Sequence, residues 1–396
     1  MVSLALITEA FPALTPAQWC QAFFGISSAS ILAMQVIPKA AQHLLLDYGA
    51  RSPVTTIITD DRSKEAAGPE GSNVFNDLVK AVASVGQIPH SWFMHFYIAS
   101  VAGSALWAWQ YLQGGSAITF IAAQQAASGT PSMSLEQTML VWILMALQGA
   151  RRLHECLFVM KPGSSKMWFV HWLLGLGFYL CMSVSVWVDG SASLLETTKS
   201  NHGSLLSLPT IVGTAVYVYG WSNQHLCHKY LASLKKYSLP DQGLFRYIVC
   251  PHYTCECLIY LGLAVAAAPE GRFINRTLLC AFWFIVTNLG TTADGTKQCH
   301  ALALSSFLPK HSKFGPQLRN LHYIAICEAC SGCAHVLAGS EIRFRSQEVP
   351  VHNCLGGELD VLLDIGNAMQ VIGVEALGRD EEASGLLKNA CYGLQI

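Results

Sequence analysis

The sequence predicts an all-α membrane protein with about seven transmembrane helices. Of its 396 residues, 52% are hydrophobic and only 12% are charged, about half the charge of a typical soluble domain. Seven separate apolar segments approach or reach the length of about 20 residues that a membrane-spanning helix needs. The loops between these segments are alternately rich and poor in Lys and Arg, as the positive-inside rule requires of successive loops.

Composition and charge also exclude several classes of protein. A chain this hydrophobic is not intrinsically disordered. The 24 Lys and Arg residues nearly balance the 25 Asp and Glu residues, so there is no basic excess for a nucleic-acid partner and no acidic tail. The 14 Cys residues are scattered, several of them inside apolar segments, which indicates buried thiols rather than a disulfide framework.

The seven predicted spans differ in strength. In chain order they are 17–38, 91–112, 133–150, 167–188, 203–222, 247–268 and 274–290. Among the five strongest, Glu256 and Arg276 are the only charged residues. The two weaker segments, 17–38 and 133–150, have an alternative interpretation as buried or interfacial helices.

The basic residues of the loops predict how the chain is oriented. Three loops contain four or five Lys and Arg residues each: 39–90, 151–166 and 223–246. The loops between them contain one or none: 113–132, 189–202 and 269–273. The basic loops are expected on the cytosolic side, with the N-terminus on the opposite, non-cytosolic side and the C-terminus cytosolic. Residues 1–16 lack a basic region and a cleavage site, so we expect the first span to act as an uncleaved anchor.

Two clusters of polar residues lie near the predicted cytosolic ends of spans. The first is QIPHSWFMHFY at 87–97, where His95 and Tyr97 enter an apolar segment. Its alternative interpretation is an aromatic belt at the membrane interface. The second is QGARRLHEC at 148–156. Its two adjacent Arg residues suit an anionic headgroup or a cofactor phosphate, and the alternative is a basic stop signal with a local Arg–Glu pair.

A third cluster at 221–256 is the richest in ionisable residues, which are functional candidates when they lie within a membrane. Glu256 follows His252 by four residues and so shares its helix face, as a functional or a merely structural pair. A non-haem iron site on His225, His228, His252 and Glu256 is an alternative. Only His225 and His228 have the HxxH spacing of such enzymes, so no metal site is predicted here.

The residues of this third cluster carry a family resemblance. The run from Asn223 through LKKYSLPDQGLFRYIVCPHYTCECLIY to Asn288 resembles the C-terminal domain of the steroid 5α-reductase family. The blocks QIPHSWFMHFY and LQGARRLHECLFV are similar to the polyprenol reductase branch of that family, in a fungal-type form with an atypical C-terminus. The resemblance covers roughly residues 20–297 and implies a steroid 5α-reductase-like helical bundle.

The resemblance also implies a function. It implies an endoplasmic-reticulum membrane enzyme that uses NADPH to reduce the α-isoprene double bond of polyprenol or polyprenal, in dolichol synthesis for protein N-glycosylation. The lipid partner is then a long-chain polyprenoid. Polyprenal is the chemically better substrate, because an alkene conjugated to an aldehyde accepts hydride at its β carbon as negative charge moves onto oxygen.

By the same resemblance, two residues are expected at the reacting carbonyl and seven at the cofactor. Tyr97 or His95 would polarise the substrate oxygen. The expected cofactor-binding residues are Arg151, Arg152, Asn223, His228, Lys235, His252 and Glu256.

The chain departs from the family pattern at two places. Many relatives have a carboxylate where this chain has Gln87, and the Trp-Tyr pair that follows their last span is absent after Lys297. Lys313-Phe314 appears only later, after an apparent insertion. An alternative function is therefore a catalytically impaired membrane protein of the same fold, with a lipid-binding or scaffold role. A transporter or receptor is less favoured, because the polar clusters gather on one side of the membrane.

The predicted spans and the family resemblance together divide the chain into four regions. They are an N-terminal span and cytosolic loop at 1–90, central transmembrane helices at 91–200, a catalytic domain at 201–297, and an atypical, disordered tail at 298–396. The tail contains Cys327, Cys330, Cys333 and His335, for which metal binding is an alternative that their tight spacing disfavours.

Overall fold

The structure is a bundle of α-helices joined at one end by a short antiparallel ribbon. The computed structural model describes residues 14–37, 42, 79, 81–161, 165–191, 193, 207–235 and 240–307, with side chains of the last stretch to 296. The Cys327–His335 motif and most of the predicted tail lie outside these residues.

Within these described residues, eight α-helices form the bundle. They are α1 (Pro16–Ala33), α2 (Met94–Leu112), α3 (Ser116–Ala126), α4 (Leu135–His154), α5 (Phe169–Val188), α6 (Leu208–Ser233), α7 (Pro251–Ala266) and α8 (Arg276–Phe307). Shorter helical turns are His90–Phe93 and Gly243–Arg246, both 3-10, and Glu155–Val159, a π-helix. Every predicted span overlaps an α-helix, although α6 and α8 extend well beyond the predicted ends at 222 and 290, and α3 lies in a predicted loop. The predicted domain boundary at 297 falls inside α8.

The count of seven membrane spans is not confirmed by the helices themselves. Of the described helices, α5 alone is both long and apolar enough to cross a membrane by length and composition. Helix α7 has 16 residues, fewer than the length of a span, and α4 ends in charged residues. Other helices mix their apolar residues with Gln, Ser, Trp and Tyr, which lowers their mean hydropathy.

The structure is mostly helical, as predicted, and adds one short two-stranded ribbon. Strands β1 (Gln87–Pro89) and β2 (Lys166–Trp168) pair antiparallel, with Ile88 opposite Met167. At its end the Phe169 N–H donates to the Gly86 carbonyl over 3.0 Å. Gly86 has a φ of +74°, a conformation that glycine adopts without strain. Because β1 leads into α2 and β2 into α5, the ribbon holds the starts of these two helices side by side.

Sequence signals at the helix starts explain where several elements begin. Thr15 caps α1 through a capping box in which its hydroxyl accepts from the Gln18 N–H and the Gln18 side chain accepts from the Thr15 N–H. Ser134 and Ser207 cap α4 and α6 through their hydroxyls, each of which accepts an N–H of the first turn. Pro251 opens α7 at a position where its missing N–H costs nothing.

The buried core contains an aromatic cluster centred on Phe178 of α5. Its ring centroid lies 5.7 Å from that of Phe24, 5.6 Å from Tyr260 and 4.9 Å from Phe284. These four residues come from α1, α5, α7 and α8 and all are buried. Aromatic pairs at such distances add to the free energy of burying the rings themselves. The cluster therefore ties four helices together.

Three glycines let α6 and α7 approach backbone to backbone. A Cβ atom at Gly213 would lie 2.2 Å from the Ala266 nitrogen, and one at Gly262 would lie 2.6 Å from the Tyr217 nitrogen. Gly220 faces the α7 backbone in the same way, about two turns after Gly213. Small residues at such contacts are the usual means by which membrane helices pack closely. The two helices run antiparallel, which brings the end of α6 beside the start of α7.

We expect Gly262→Ala to lower the free energy of unfolding by about 1–3 kcal/mol, since its methyl group meets backbone that has no room to move. Thermal unfolding of the detergent-solubilised protein measures the change. Gly25→Ala is the matched control, because a Cβ there meets nothing within 4 Å and alanine favours a helix. Equal effects of the two substitutions would contradict the close contact between α6 and α7.

Candidate active site

The centre of the candidate site is the carboxylate of Glu155, at the junction of α4 and the π-helical turn. Its side chain is fully buried and contacts four nitrogen-containing side chains. Arg151 Nη1 donates to Oε1 over 2.8 Å, and Arg152 Nη1 donates to Oε2. His225 Nδ1 lies 2.7 Å from Oε1, and His228 Nδ1 lies 2.7 Å from Oε2. One carboxylate thus joins two residues of α4 to two of α6.

The charges around this carboxylate set the protonation of its neighbours. Glu155 and His228 both lie beyond the ends of the predicted spans 133–150 and 203–222. Burial acts to raise the pKa of Glu155, but the hydrogen bond with His228 and the positive charges of Arg152 and Arg151 bring this pKa well below its usual value. Burial and the Arg152 charge lower the pKa of His228 to about 3. At neutral pH, Glu155 is ionised and His228 is neutral.

Tyr97 of α2 is held by Arg152. The guanidinium donates to the phenol oxygen from Nε over 3.1 Å and from Nη2 over 2.8 Å. Tyr97 is 3% exposed, and the rings of Phe93 and Tyr179 pack edge-on against its ring. Because the phenol oxygen accepts both guanidinium bonds, its own proton remains available for a different acceptor.

Two glutamines connect Arg151 to Glu256 of α7. Arg151 Nη2 donates to the side-chain oxygen of Gln148 over 2.7 Å and to that of Gln224. With both amide oxygens accepting from Arg151, both amide nitrogens face Glu256. Gln224 Nε2 donates to Glu256 Oε2, and Gln148 Nε2 lies 3.4 Å from each carboxylate oxygen. The Arg151 guanidinium also lies over the Trp221 ring, 5.1 Å from its centroid.

His252, near the start of α7, completes the cluster. Its ring centroid lies 4.2 Å from that of Tyr253, 6.0 Å from Phe245 and 5.9 Å from His228. His252 Nδ1 and Arg151 Nε are buried, and neither forms a hydrogen bond with any residue that the structure describes. Buried polar atoms are nearly always paired, so two unpaired ones in a single cluster indicate a place for a ligand.

The structure brings six of the nine sequence-predicted site residues together. They are Tyr97, Arg151, Arg152, His228, His252 and Glu256, contributed by α2, α4, α6 and α7. The backbone approach of α6 and α7 explains why residues far apart in the chain meet. Their roles in catalysis or cofactor binding remain predictions.

The other three predicted residues do not join this cluster through the contacts of the described residues. His95 Nδ1 accepts from Trp172 Nε1 over 3.3 Å, among aromatic rings at the start of α2 and α5. Asn223 donates to the Tyr219 carbonyl of its own helix. Consecutive residues of an α-helix point about 100° apart around its axis, so Asn223 faces away from the cluster that Gln224 joins. Lys235 is exposed beyond the end of α6.

Sequence reasoning missed Gln148 and Gln224 and took Glu155 for one member of a local ion pair. A periodicity signal was present. Gln148, Arg152 and Glu155 follow at spacings of four and three and therefore share a face of α4, and Gln224 and His228 share a face of α6. Within the described part of the chain, no three His, Cys, Asp or Glu side chains are placed to hold a metal ion.

Comparison with known proteins agrees with the resemblance inferred from the motifs. Residues 167–314 match the family model described as 3-oxo-5-alpha-steroid 4-dehydrogenase. The predicted family resemblance is confirmed. This match continues past the predicted domain boundary at 297 and includes Lys313 and Phe314.

Three relatives extend the similarity over most of the chain. Polyprenal reductase 1 of Oryza sativa subsp. indica is 26% identical over 344 residues, which cover 73% of this chain and 93% of the relative. Polyprenal reductase 1 of Arabidopsis thaliana is 28% identical over 275 residues, 57% of this chain and 82% of the relative. The polyprenal reductase of Homo sapiens is 25% identical over 283 residues, 61% of this chain and 85% of the relative.

The low pKa of His228 predicts that the protein loses stability in mild acid. Its folded value of about 3 lies below the unfolded value of about 6.5, so the unfolded chain takes up a proton first as the pH falls. The contribution is complete above about pH 6.5 and falls steadily toward pH 3. Between pH 7 and pH 5 we expect the free energy of unfolding to fall by about 2 kcal/mol from this residue.

Thermal unfolding in detergent across this pH range tests the prediction. His228→Asn removes the titrating group and should flatten the dependence of stability on pH. His154→Asn, which removes an exposed histidine at the end of α4, is the control for the substitution itself. The same slope in His228→Asn as in the unmodified protein would contradict the assignment.

Proposed function

We propose that this protein is an NADPH-dependent polyprenal reductase of the endoplasmic-reticulum membrane, which saturates the α-isoprene double bond of polyprenal in dolichol synthesis for N-glycosylation. The observation that carries the proposal is a buried phenol, Tyr97, whose oxygen is held by the guanidinium of Arg152. The names of the relatives supply the substrate class, since several are polyprenal reductases aligned over most of their length.

The buried cluster fits a dinucleotide cofactor in its chemistry. Arg151 and Arg152 carry guanidinium groups of the kind that binds phosphate, and Glu155 pairs with both of them in the structure. Arg151 Nε and His252 Nδ1 are buried without protein partners among the described residues and offer hydrogen bonds to a ligand. We assign Arg151, Arg152, His228, His252 and Glu256 to binding NADPH. When bound, NADPH supplies the hydride that the conjugated double bond accepts.

The role of Tyr97 is to polarise the aldehyde. Its hydroxyl donates a hydrogen bond to the substrate oxygen, where negative charge gathers as the double bond is reduced. The two bonds from Arg152 stabilise the negative charge that builds on the phenol oxygen while it donates. The packing of Phe93 and Tyr179 against the ring holds this donor in place.

The outer surface of the bundle supports a membrane setting. Large apolar side chains are exposed along several helices, among them Ile26 at 68%, Leu106 at 51% and Leu180 at 56%. Lipid tails would cover such side chains and would also hold a long polyprenoid next to the site. The cluster lies at the helix ends that the basic loops assign to the cytosol, where NADPH would enter.

The direct test uses microsomes from a polyprenal-reductase-deficient strain that expresses this chain. We expect NADPH-dependent conversion of polyprenal to its α-saturated product, which mass spectrometry detects as a gain of two hydrogen atoms. Microsomes with a functional relative and with an empty vector are the controls. Absence of product at normal expression would overturn the enzyme assignment and favour the alternative of a catalytically impaired, lipid-binding or scaffold protein.

The Tyr97 role has a sharper test. Tyr97→Phe keeps the ring and removes the donor, so we expect kcat to fall by about 100-fold with little change in the KM for NADPH. Tyr219→Phe is the matched control, since this tyrosine lies exposed on the outer face of α6 and should leave kcat unchanged. A Tyr97→Phe variant with undiminished kcat would exclude Tyr97 as the polarising group.

A further inference from the structure

Glu155 contacts both imidazoles of α6 through the same ring nitrogen. His225 and His228 each place Nδ1 2.7 Å from a different oxygen of this one carboxylate. The carboxylate is fully buried, and Arg151 and Arg152 also bind its two oxygens, so it has no room to turn. The π-helical turn begins at Glu155, where the Met160 N–H donates to its carbonyl over 2.8 Å. Such turns are frequent at functional sites.

This geometry decides which ring nitrogen carries the proton. An ionised carboxylate only accepts hydrogen bonds, so an imidazole nitrogen 2.7 Å away must donate. Arg152 Nη1 also lies 2.7 Å from His228 Nδ1, and a guanidinium only donates. If His228 accepted from Arg152, two lone pairs would face each other across 2.7 Å at Glu155. With the proton on Nδ1, Glu155 accepts from both neighbours.

We propose that Glu155 is a positioning residue that holds His228, and with it His225, in the tautomer with the proton on Nδ1, so that Nε2 is left as a hydrogen-bond acceptor. A neutral imidazole carries one N–H, and the partner of one nitrogen therefore determines what the other offers. Among the described residues, neither Nε2 forms a hydrogen bond. An acceptor at this place selects a ligand with a hydroxyl or amide donor.

The proposed function supplies the identity of that ligand. The ribose hydroxyls and the carboxamide of a nicotinamide dinucleotide are donors of the required kind. His225, whose side chain is 33% exposed, connects the buried carboxylate to the solvent-facing edge of the cluster. Glu155 itself acts through the imidazoles.

The tautomer can be observed without any catalytic assay. Nitrogen-15 NMR of histidine-labelled protein distinguishes a protonated ring nitrogen from a bare one, and the difference spectrum with His228→Asn isolates the His228 signals. At neutral pH we expect Nδ1 protonated and Nε2 bare. In Glu155→Gln we expect the His228 signals to move toward the Nε2-protonated form, because an amide does not accept from all four neighbours. Glu136→Gln, exposed at the far end of α4, should leave them unchanged.

A binding measurement without turnover completes the test. We expect Glu155→Gln to weaken NADPH binding by about 10–100-fold in equilibrium dialysis, as loss of an orienting outer residue does at metal-bound histidines. Should Glu155→Gln fail to fold, Glu155→Asp keeps the charge and should keep the Nδ1 tautomer. A proton on Nε2 of His228 in the unmodified protein, or unchanged signals in Glu155→Gln, would overturn the proposal. An inactive protein with the expected tautomer would overturn only the proposed function.

Discussion

The buried charge of Glu155 is the interaction on which the rest of the site depends. Taking the guanidinium groups of Arg151 and Arg152 out of water costs several kcal/mol each, and only a paired carboxylate with good geometry offsets this cost. Without Glu155, two positive charges would lie unpaired inside the bundle. Arg152 would lose the anchor that aims it at Tyr97, and α4 would lose its connection to His228.

Packing between helices decides which residues this charge network includes. Where Gly213 and Gly262 allow the backbones of α6 and α7 to touch, Gln224 lies within hydrogen-bond distance of Glu256. A wider separation would leave the Glu256 carboxylate without its amide partners, and burying an unpaired carboxylate is costly. The glycines therefore stabilise the site as well as the fold.

Local patterns in the sequence predicted the helices well, but they did not predict contacts between residues far apart in the chain. Each apolar segment contains a helix, because apolar runs with capping residues are local signals. The pairing of Ile88 with Met167 joins residues far apart in the chain, and no local sequence pattern predicts it. The same limit applies to the site. Spacing placed His252 and Glu256 on one face, but only the packed bundle shows that Asn223 turns away from the cluster.

The departure at Gln87 bears directly on how such a site handles a proton. The Gln87 side chain donates to the Ala83 carbonyl over 2.6 Å, so it serves the local turn before β1 rather than the buried cluster. A family carboxylate at this position would have to be buried in its neutral form to act as an acid. A phenol can donate without first taking up a proton, because a tyrosine such as Tyr97 is neutral at physiological pH and already carries its proton. In the proposed mechanism Tyr97 is therefore the donor. Arg152 would stabilise the charge on the phenol oxygen, and the Glu155 carboxylate balances the charge of Arg152.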